Sequence, residues 1–308
     1  NIKLYKNSAH SLMLSELELM PKINWDEQMR ARWTISEAAA QQRLDEFVSD
    51  ELEDYRDGRN FPDKQNVSRL SPYLHFGQLS PNTAWHRAAA AGTVIDNEAS
   101  LDTFMSELGW REFSYYLLYH FPELPRKNLQ SKFDLFPWPQ TSNADLKAWQ
   151  QGKTGYPLVD AGMRELYTTG YMHNRVRMVV GSFLVKNLLI HWHQGEAWFW
   201  DCLVDADLAS NSASWQWIAG CGADAAPYFR IFNPITQSEK FDKRGNYIRR
   251  YVPELATMPD KYIHSPWMAP AEVLASAGVD IGGNYPAPVV DVKASRERAL
   301  AAFAQTKT

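Results

Sequence analysis

The chain has 308 residues, of which 45% are hydrophobic, so it can bury a sizeable core as one large or two ordinary domains. A net charge of −4 speaks against a protein coated in positive charge, although a nucleic-acid binder needs only a local basic patch. Two cysteines, Cys202 and Cys221, exclude a disulfide framework, match no metal-ligand spacing and suit a reducing cytoplasm. No run of about 18 apolar residues and no leader-like start is present, so neither a membrane span nor a signal peptide is predicted.

The pattern is helical nearly throughout. TISEAAAQQRLDEFVSDELEDY (34 to 55) opens with Thr34 as a cap and Glu37 three residues on, then repeats apolar positions at helical spacing. SPNTAWHRAAAAG (80 to 92) has a Ser cap, Pro at the first turn and a closing Gly; LDTFMSELGWREFSYYLLYHF (101 to 121) is amphipathic and stops before Pro122. Further helices are predicted over 142 to 152, as one long element over 159 to 195, and over 196 to 210. No stretch alternates with period two for long enough to make a sheet. The main irregular segments are NFPDKQNVSRLSP (60 to 72), FDLFPWPQT (133 to 141) and the Pro- and Gly-rich run 259 to 290, which is expected to pack over the surface. No internal repeat or low-complexity segment is present, and the prediction is an all-α domain.

Several helix faces are odd for a core. In DADLASNSASWQW (205 to 217), read as helix, Asp207, Asn211 and Trp215 follow at i, i+4 and stack a carboxylate, an amide and an indole. Glu107, Trp110 and Arg111 share a face in ELGWREF, as do Asn174, Arg177 and Met178 in HNRVRMVVGSF. Taken singly, each is also what a surface ion pair beside a core aromatic would give. A fourth piece, NVSRLSP, gathers two serines and an arginine in a loop suited to holding phosphate. A phosphate-bearing ligand with a polar conjugated ring would use all four. No GxGxxG or GxxxxGK[ST] motif is present, so the usual dinucleotide and P-loop solutions fail. From Arg230 to Arg250 six basic and two acidic residues are interleaved with Phe232, Phe241 and Tyr247, which reads equally as a solvated charged surface or a nucleic-acid face.

VSRLSPYLHFGQLSP, ELGWREF, GKTGYPLVDAGMREL, GYMHNRVRM, DADLASNSASWQW and GADAAPYFRIFNP together resemble the FAD-binding half of the photolyase and cryptochrome family, in the family's motif order from about Tyr55 to Leu255. The resemblance implies an all-helical domain that holds FAD in a U shape below a hole admitting a flipped pyrimidine dimer. On that basis 1–54 is a helical lead-in and linker, 55–258 the FAD- and DNA-binding core, and 259–308 a C-terminal segment packing on it. The family's N-terminal α/β antenna domain is absent from this chain, and the first residue is Asn rather than Met, which suggests that the chain begins inside a longer product or was trimmed; the antenna chromophore is unknown.

Carried over by position, the resemblance places Tyr55, Val67, Ser68, Arg69, Leu70 and Ser71 at the FAD phosphates, Val67 standing where many relatives have Thr and so lacking a hydroxyl. Phe104, Arg111 and Asn174 line the cofactor cavity, Arg177 pairs with Asp205 beside the flavin ring, Asp207 takes ribose or ring contacts, and Asn211 sits at flavin N5. Asn rather than Asp there suits a fully reduced, electron-donating FADH⁻. On the substrate side Trp110 and Trp217 match the stacking residues, Glu107 the hydrogen-bond partner of the bases, Met178 the thioether against the cyclobutane ring, and Arg175 and Arg230 the phosphate-contacting arginines. Trp215, Trp192 and Trp138 match an electron relay, Trp138 lying in a loop one residue longer than in some relatives.

The implied function is light-driven splitting of cyclobutane pyrimidine dimers in UV-damaged DNA by a cytoplasmic monomer; enzymes for the (6-4) photoproduct place histidines where this chain has Asn174 and Met178. The alternative is a cryptochrome-like blue-light receptor that signals through a partner.

Overall fold

The structure is a computed structural model that describes residues 11–92, 97–140, 142–225 and 229–307. Positions 226–228 of GADAAPYFRIFNP and Thr141 of the 133 to 141 loop lie outside the described residues. The chain divides into a short unit, Asn1–Thr34, and a large one, Ile35–Thr308. Within the described part of the short unit, a 3₁₀ turn at Leu14–Leu17 precedes α1 (Glu27–Arg32), where Arg30 pairs with Asp26 at 3.1 Å.

The large unit is helical, and among its described residues the β pairing is one isolated bridge, Ile281 to Tyr285. Its first half contains α2 (Glu37–Glu46), α3 (Tyr55–Gly58), α4 (Ser71–His75), α5 (Pro81–Ala91) and α6 (Glu98–His120). The second half runs through α7 (Asn143–Gln150), α8 (Pro157–Thr169), α9 (Asn174–Ser182), α10 (Trp192–Cys202), α11 (Leu208–Ala219), α12 (Pro234–Phe241) and α13 (Asn246–Tyr251), and closes with α14 (Ala271–Ser276) and α15 (Val292–Ala304). Side-chain caps start many of these helices: Ser80 Oγ accepts from Asn82 N–H, Asn97 from Ser100 and Ser142 from Asp145, each satisfying a donor the helix leaves open.

Three local predictions are corrected. The first long helix is capped by Ser36, whose Oγ accepts from Ala39 N–H, rather than by Thr34, and it widens into a π turn over Phe47–Glu51. The stretch 159 to 195 is several elements: α8 ends at Gly170 in the left-handed region (φ 69°), α9 starts after a cap by His173, a π turn covers Phe183–Asn187, and His191 caps α10. Both histidines accept from a backbone N–H two residues on at 3.2 Å, through Nδ1. Burial and the neighbouring Arg175 and Arg177 push the His173 pKa down to about 3, which keeps Nδ1 free to accept. The 196 to 210 helix ends at Cys202, and α11 begins only at Leu208.

Among the described residues two apolar clusters form. One gathers α2 to α5 with the first half of α6 through Phe47, Leu70, Phe104 and Leu108. The other gathers α8 to α11, α13 and the C-terminal helices around Phe183, Trp192 and Trp215. The run 259 to 290 does more than cover a surface: Tyr285 is fully buried and donates its hydroxyl at 2.8 Å to Asp160, itself buried in α8. Asp160 also accepts from Thr154 N–H and Oγ1, both at 2.6 Å, and from Gly155 N–H at 3.0 Å. Each carboxylate oxygen is thereby satisfied, as a buried charge requires.

Candidate functional site

A two-lobed cavity opens where the clusters meet. One lobe, about 400 Å³, is lined by α6, α9, α10 and α11; the other, about 310 Å³, by α3, the 67 to 71 loop, the start of α4, and α6. They share a wall that includes Glu107, Trp110, Asn174, Arg177, Asp205 and Asp207.

The smaller lobe contains every residue predicted for phosphate: Tyr55, Val67, Ser68, Arg69, Leu70 and Ser71, with Phe104 and Arg111 beside them. A residue the sequence reading missed shapes the loop. Arg43 on α2 donates from Nε to Ser68 O at 2.9 Å and from Nη2 to Val67 O at 3.2 Å, and is held by Glu51. In a planar trans peptide the N–H points opposite to the C=O, so this grip turns the Ser68 and Arg69 amides the other way, as donors free for a ligand. Arg69 adopts φ 52°, a left-handed conformation uncommon for a residue with a side chain, which marks the loop as held by its surroundings. Ser71 Oγ donates to Asp205 Oδ2 at 2.7 Å, so its hydroxyl is committed to that carboxylate.

Asp205 is the hinge between lobes. Arg177 Nη2 lies 2.9 Å from Oδ2 and 3.2 Å from Oδ1, while Arg177 Nε donates to Met172 O at 2.7 Å. Burial opposes the Arg177 charge, but Asp205 and Tyr171 outweigh it and hold the guanidinium pKa above its ordinary value. Tyr171 lies beneath both Arg69 and Arg177, with its ring centroid 5.7 and 5.2 Å from them, and burial pushes its hydroxyl up to about 12.

Asp207 lies in the wall but not on the helix face predicted for it. Its backbone is extended (φ −131°) and it caps α11, accepting from Ser210 N–H at 2.8 Å. The other oxygen accepts from the Tyr115 hydroxyl and stands 3.5 Å from His75 Nδ1. Burial raises the Asp207 pKa, but these hydrogen bonds outweigh it and leave the carboxyl below its ordinary range. Asn211 and Trp215 do share the α11 face in the larger lobe. Asn211 Nδ2 donates to Glu196 O at 3.0 Å, so its other end, Oδ1, is left as an acceptor.

At the open side of the larger lobe are Glu107, Trp110, Met178 and Trp217. Glu107 does not pair with Arg111 along the helix; Arg59 Nη1 meets it at 2.5 Å, and Arg111 turns to Glu112 at 2.7 Å. Arg59 was not foreseen, because nothing in DGRN marks it. Arg230 stacks over Trp217 at 5.2 Å. Arg175 is not in the cavity wall: it lies over Phe241 at 4.4 Å, bonded to Asn60.

Trp215 packs on Phe199 at 5.0 Å. Gly195 of α10 is so near that a Cβ there would fall 2.1 Å from the Trp215 ring. Trp192 and Trp138 both touch His191, at 5.6 and 4.9 Å.

A family model for the FAD-binding domain of DNA photolyase matches residues 104–305. The chain belongs to that family. Deoxyribodipyrimidine photo-lyase of Agrobacterium fabrum is 52% identical over 96% of this chain and 61% of its own length, and that of Escherichia coli is 44% identical over 89% and 57%. A solved bacterial class III photolyase from Agrobacterium tumefaciens superposes with a TM-score of 0.92 at 52% identity, covering 96% of this chain and 61% of that one. The chain thus spans about 60% of the length of these photolyases. As a photolyase FAD-binding domain it has FAD as its cofactor, and among the described residues no helix is long and apolar enough to cross a membrane.

Proposed function

We propose that the protein holds FAD in its active, fully reduced form and uses light to split cyclobutane pyrimidine dimers in UV-damaged DNA. The observation that carries this reading is the shared wall: a phosphate-suited lobe and an aromatic, solvent-open lobe meet at Arg177 and Asp205. When bound, reduced FAD supplies the photoexcited electron that opens the cyclobutane ring. The fit is chemical: free amides at Ser68 and Arg69 suit a diphosphate, and the Arg177 cation suits an anionic ring.

In this reading Tyr55, Val67 to Ser71, Phe104, Arg111, Asn174, Arg177, Asp205 and Asp207 bind the cofactor. Asn211 presents Oδ1 as an acceptor to an N–H, the role its bond to Glu196 leaves open. Trp110 and Trp217 stack on the flipped bases, Met178 packs against the ring, and Glu107, salt-bridged to Arg59 and therefore an acceptor, receives base N–H groups. Arg230 and Arg175 neutralise flanking phosphates. Trp138, Trp192 and Trp215 pass electrons inward to restore the reduced cofactor. The protein acts as a monomer in the cytoplasm, consistent with two buried, unpaired cysteines.

The test is to incubate the purified, FAD-loaded and chemically reduced protein with a dimer-containing oligonucleotide in blue light. Restored pyrimidines are expected in light and not in darkness. Flavin uptake without any light-dependent repair would overturn the reading and favour a signalling receptor.

A further inference from the structure

Trp192 is 1% exposed, beyond the reach of bulk water, yet its indole N–H is not orphaned: it donates to Asn128 Oδ1 at 3.0 Å. The other end of the Asn128 amide, Nδ2, donates to Asp134 Oδ1 at 2.7 Å. The loop that carries Asn128 is pinned on both sides by Gln216, which is fully buried: Gln216 Oε1 accepts from Leu129 N–H at 2.8 Å and Nε2 donates to Lys127 O at 2.8 Å. Gln216 is the residue after Trp215. One strut therefore ties the inner indole to the loop that grips the middle one.

We propose that Asn128, oriented by Asp134 and fixed in place by Gln216, is a positioning residue that keeps Trp192 protonated while an electron vacancy passes through it. This rests on the tryptophan relay above. Removing an electron from an indole makes its N–H strongly acidic, so the fate of the proton depends on what it faces. An amide oxygen is a good hydrogen-bond acceptor and a very weak base, so it stabilises the positive charge without taking the proton. The Asp134 carboxylate polarises the amide and draws more negative charge onto Oδ1.

Two imidazoles pack against Trp192, with ring centroids 5.6 Å (His191) and 3.9 Å (His193) away, but the indole N–H is already given to Asn128, and burial lowers the pKa of both rings and makes them weak bases. His191 Nδ1 is occupied by His193 N–H at 3.2 Å, and burial pushes the His191 pKa down to about 4. In the proposed sequence Trp192 gives one electron to oxidised Trp215 and takes one from Trp138, its own proton never leaving nitrogen. Trp138 loses one electron, and being partly exposed it releases its indole proton to water. The proton is thus lost only at the outer end, which makes the inward transfer hard to reverse.

The test uses the FAD-loaded protein. In the dark, the ¹⁵N–¹H signal of the Trp192 indole, assigned by its absence in Trp192→Phe, is expected to exchange slowly with solvent and to exchange faster in Asn128→Leu. After a flash on the oxidised protein, the near-isosteric Asn128→Asp puts a carboxylate where the amide was. A deprotonated, neutral Trp192 radical is then expected, with loss of most of the Trp138 radical signal and a new solvent-deuterium isotope effect. Asp134→Asn, which keeps Asn128, is expected to lower the Trp138 yield without trapping Trp192. If Asn128→Asp and Asn128→Leu both retain full FAD and give the wild-type Trp138 yield, the proposal is overturned while the relay stands. If Trp192→Phe itself photoreduces like wild type, the relay reading is what fails.

Discussion

Arg177 reaches both oxygens of Asp205 with a single nitrogen, and the second of those oxygens also takes the Ser71 hydroxyl. One buried carboxylate therefore ties α9 to the start of α4 and holds the two lobes in register. Asp205→Ala should leave a largely buried guanidinium unpaired and release Ser71, costing about 3 kcal/mol or more of stability. Denaturant midpoints of the apoprotein and flavin content of the holoprotein should both fall; an unchanged midpoint would show that the pair carries no such weight.

Glu107 is proposed to grip the bases through its salt-bridged carboxylate. Glu107→Ala should lower repair per absorbed photon while FAD absorbance stays intact. Trp110→Ala should instead weaken binding of dimer DNA, since base stacking on an aromatic ring is worth about 1–3 kcal/mol. Wild-type repair yield in Glu107→Ala would refute its role.

The Arg43 grip on the Val67 and Ser68 carbonyls has a direct readout. Arg43→Met removes two charge-assisted bonds outside the cavity wall and frees the loop, so FAD affinity should drop by about 2 kcal/mol, close to thirtyfold. Titrating apoprotein with FAD by fluorescence checks this, with circular dichroism as the control for fold.

Much of this site can be read in the sequence because its residues sit on single helix faces. Asn174, Arg177 and Met178 meet the cavity as their spacing predicts, and so do Asn211 and Trp215. What resisted reading was tertiary. Residues 183 to 190 are buried all round, so no amphipathic phase marks where α9 stops, and histidine caps carry no familiar signature. Asp207 looked like a helix-face residue since Asp and Asn fit both a cap and a first turn. Arg59 and Arg43 act across long sequence gaps, and nothing local announces them. Tyr115 was within reach, one turn beyond Arg111 on the same face.

Gly195 should tolerate nothing larger. In Gly195→Ala the new Cβ would overlap the Trp215 ring, and the overpacking should cost about 1–3 kcal/mol and displace the indole. Expected outcomes are a lower thermal midpoint and slower light-driven flavin reduction; normal values for both would mean that the two elements part more easily than the packing implies.

Asp242 accepts from the N–H groups of Tyr247 at 3.0 Å and Ile248 at 2.9 Å, and burial lifts its pKa to about 6. The folded state then holds a proton that the unfolded chain has lost between pH 3.8 and about 6, so this group's contribution to stability falls as pH rises through that window. The swing is about 3 kcal/mol. Urea midpoints measured against pH should fall less steeply across it in Asp242→Asn than in wild type.

The hydroxyl of Tyr285 reaches Asp160 across 125 residues of chain. On the ribosome α8 emerges long before Tyr285, and until then the α8 carboxylate lacks one of its partners in a place built to be dry. The second apolar cluster therefore cannot finish closing before Tyr285 arrives, and α9, which carries Arg177, waits with it. Competence to take up a cofactor in the cavity thus comes after synthesis of the cavity's own walls, set by a residue outside them.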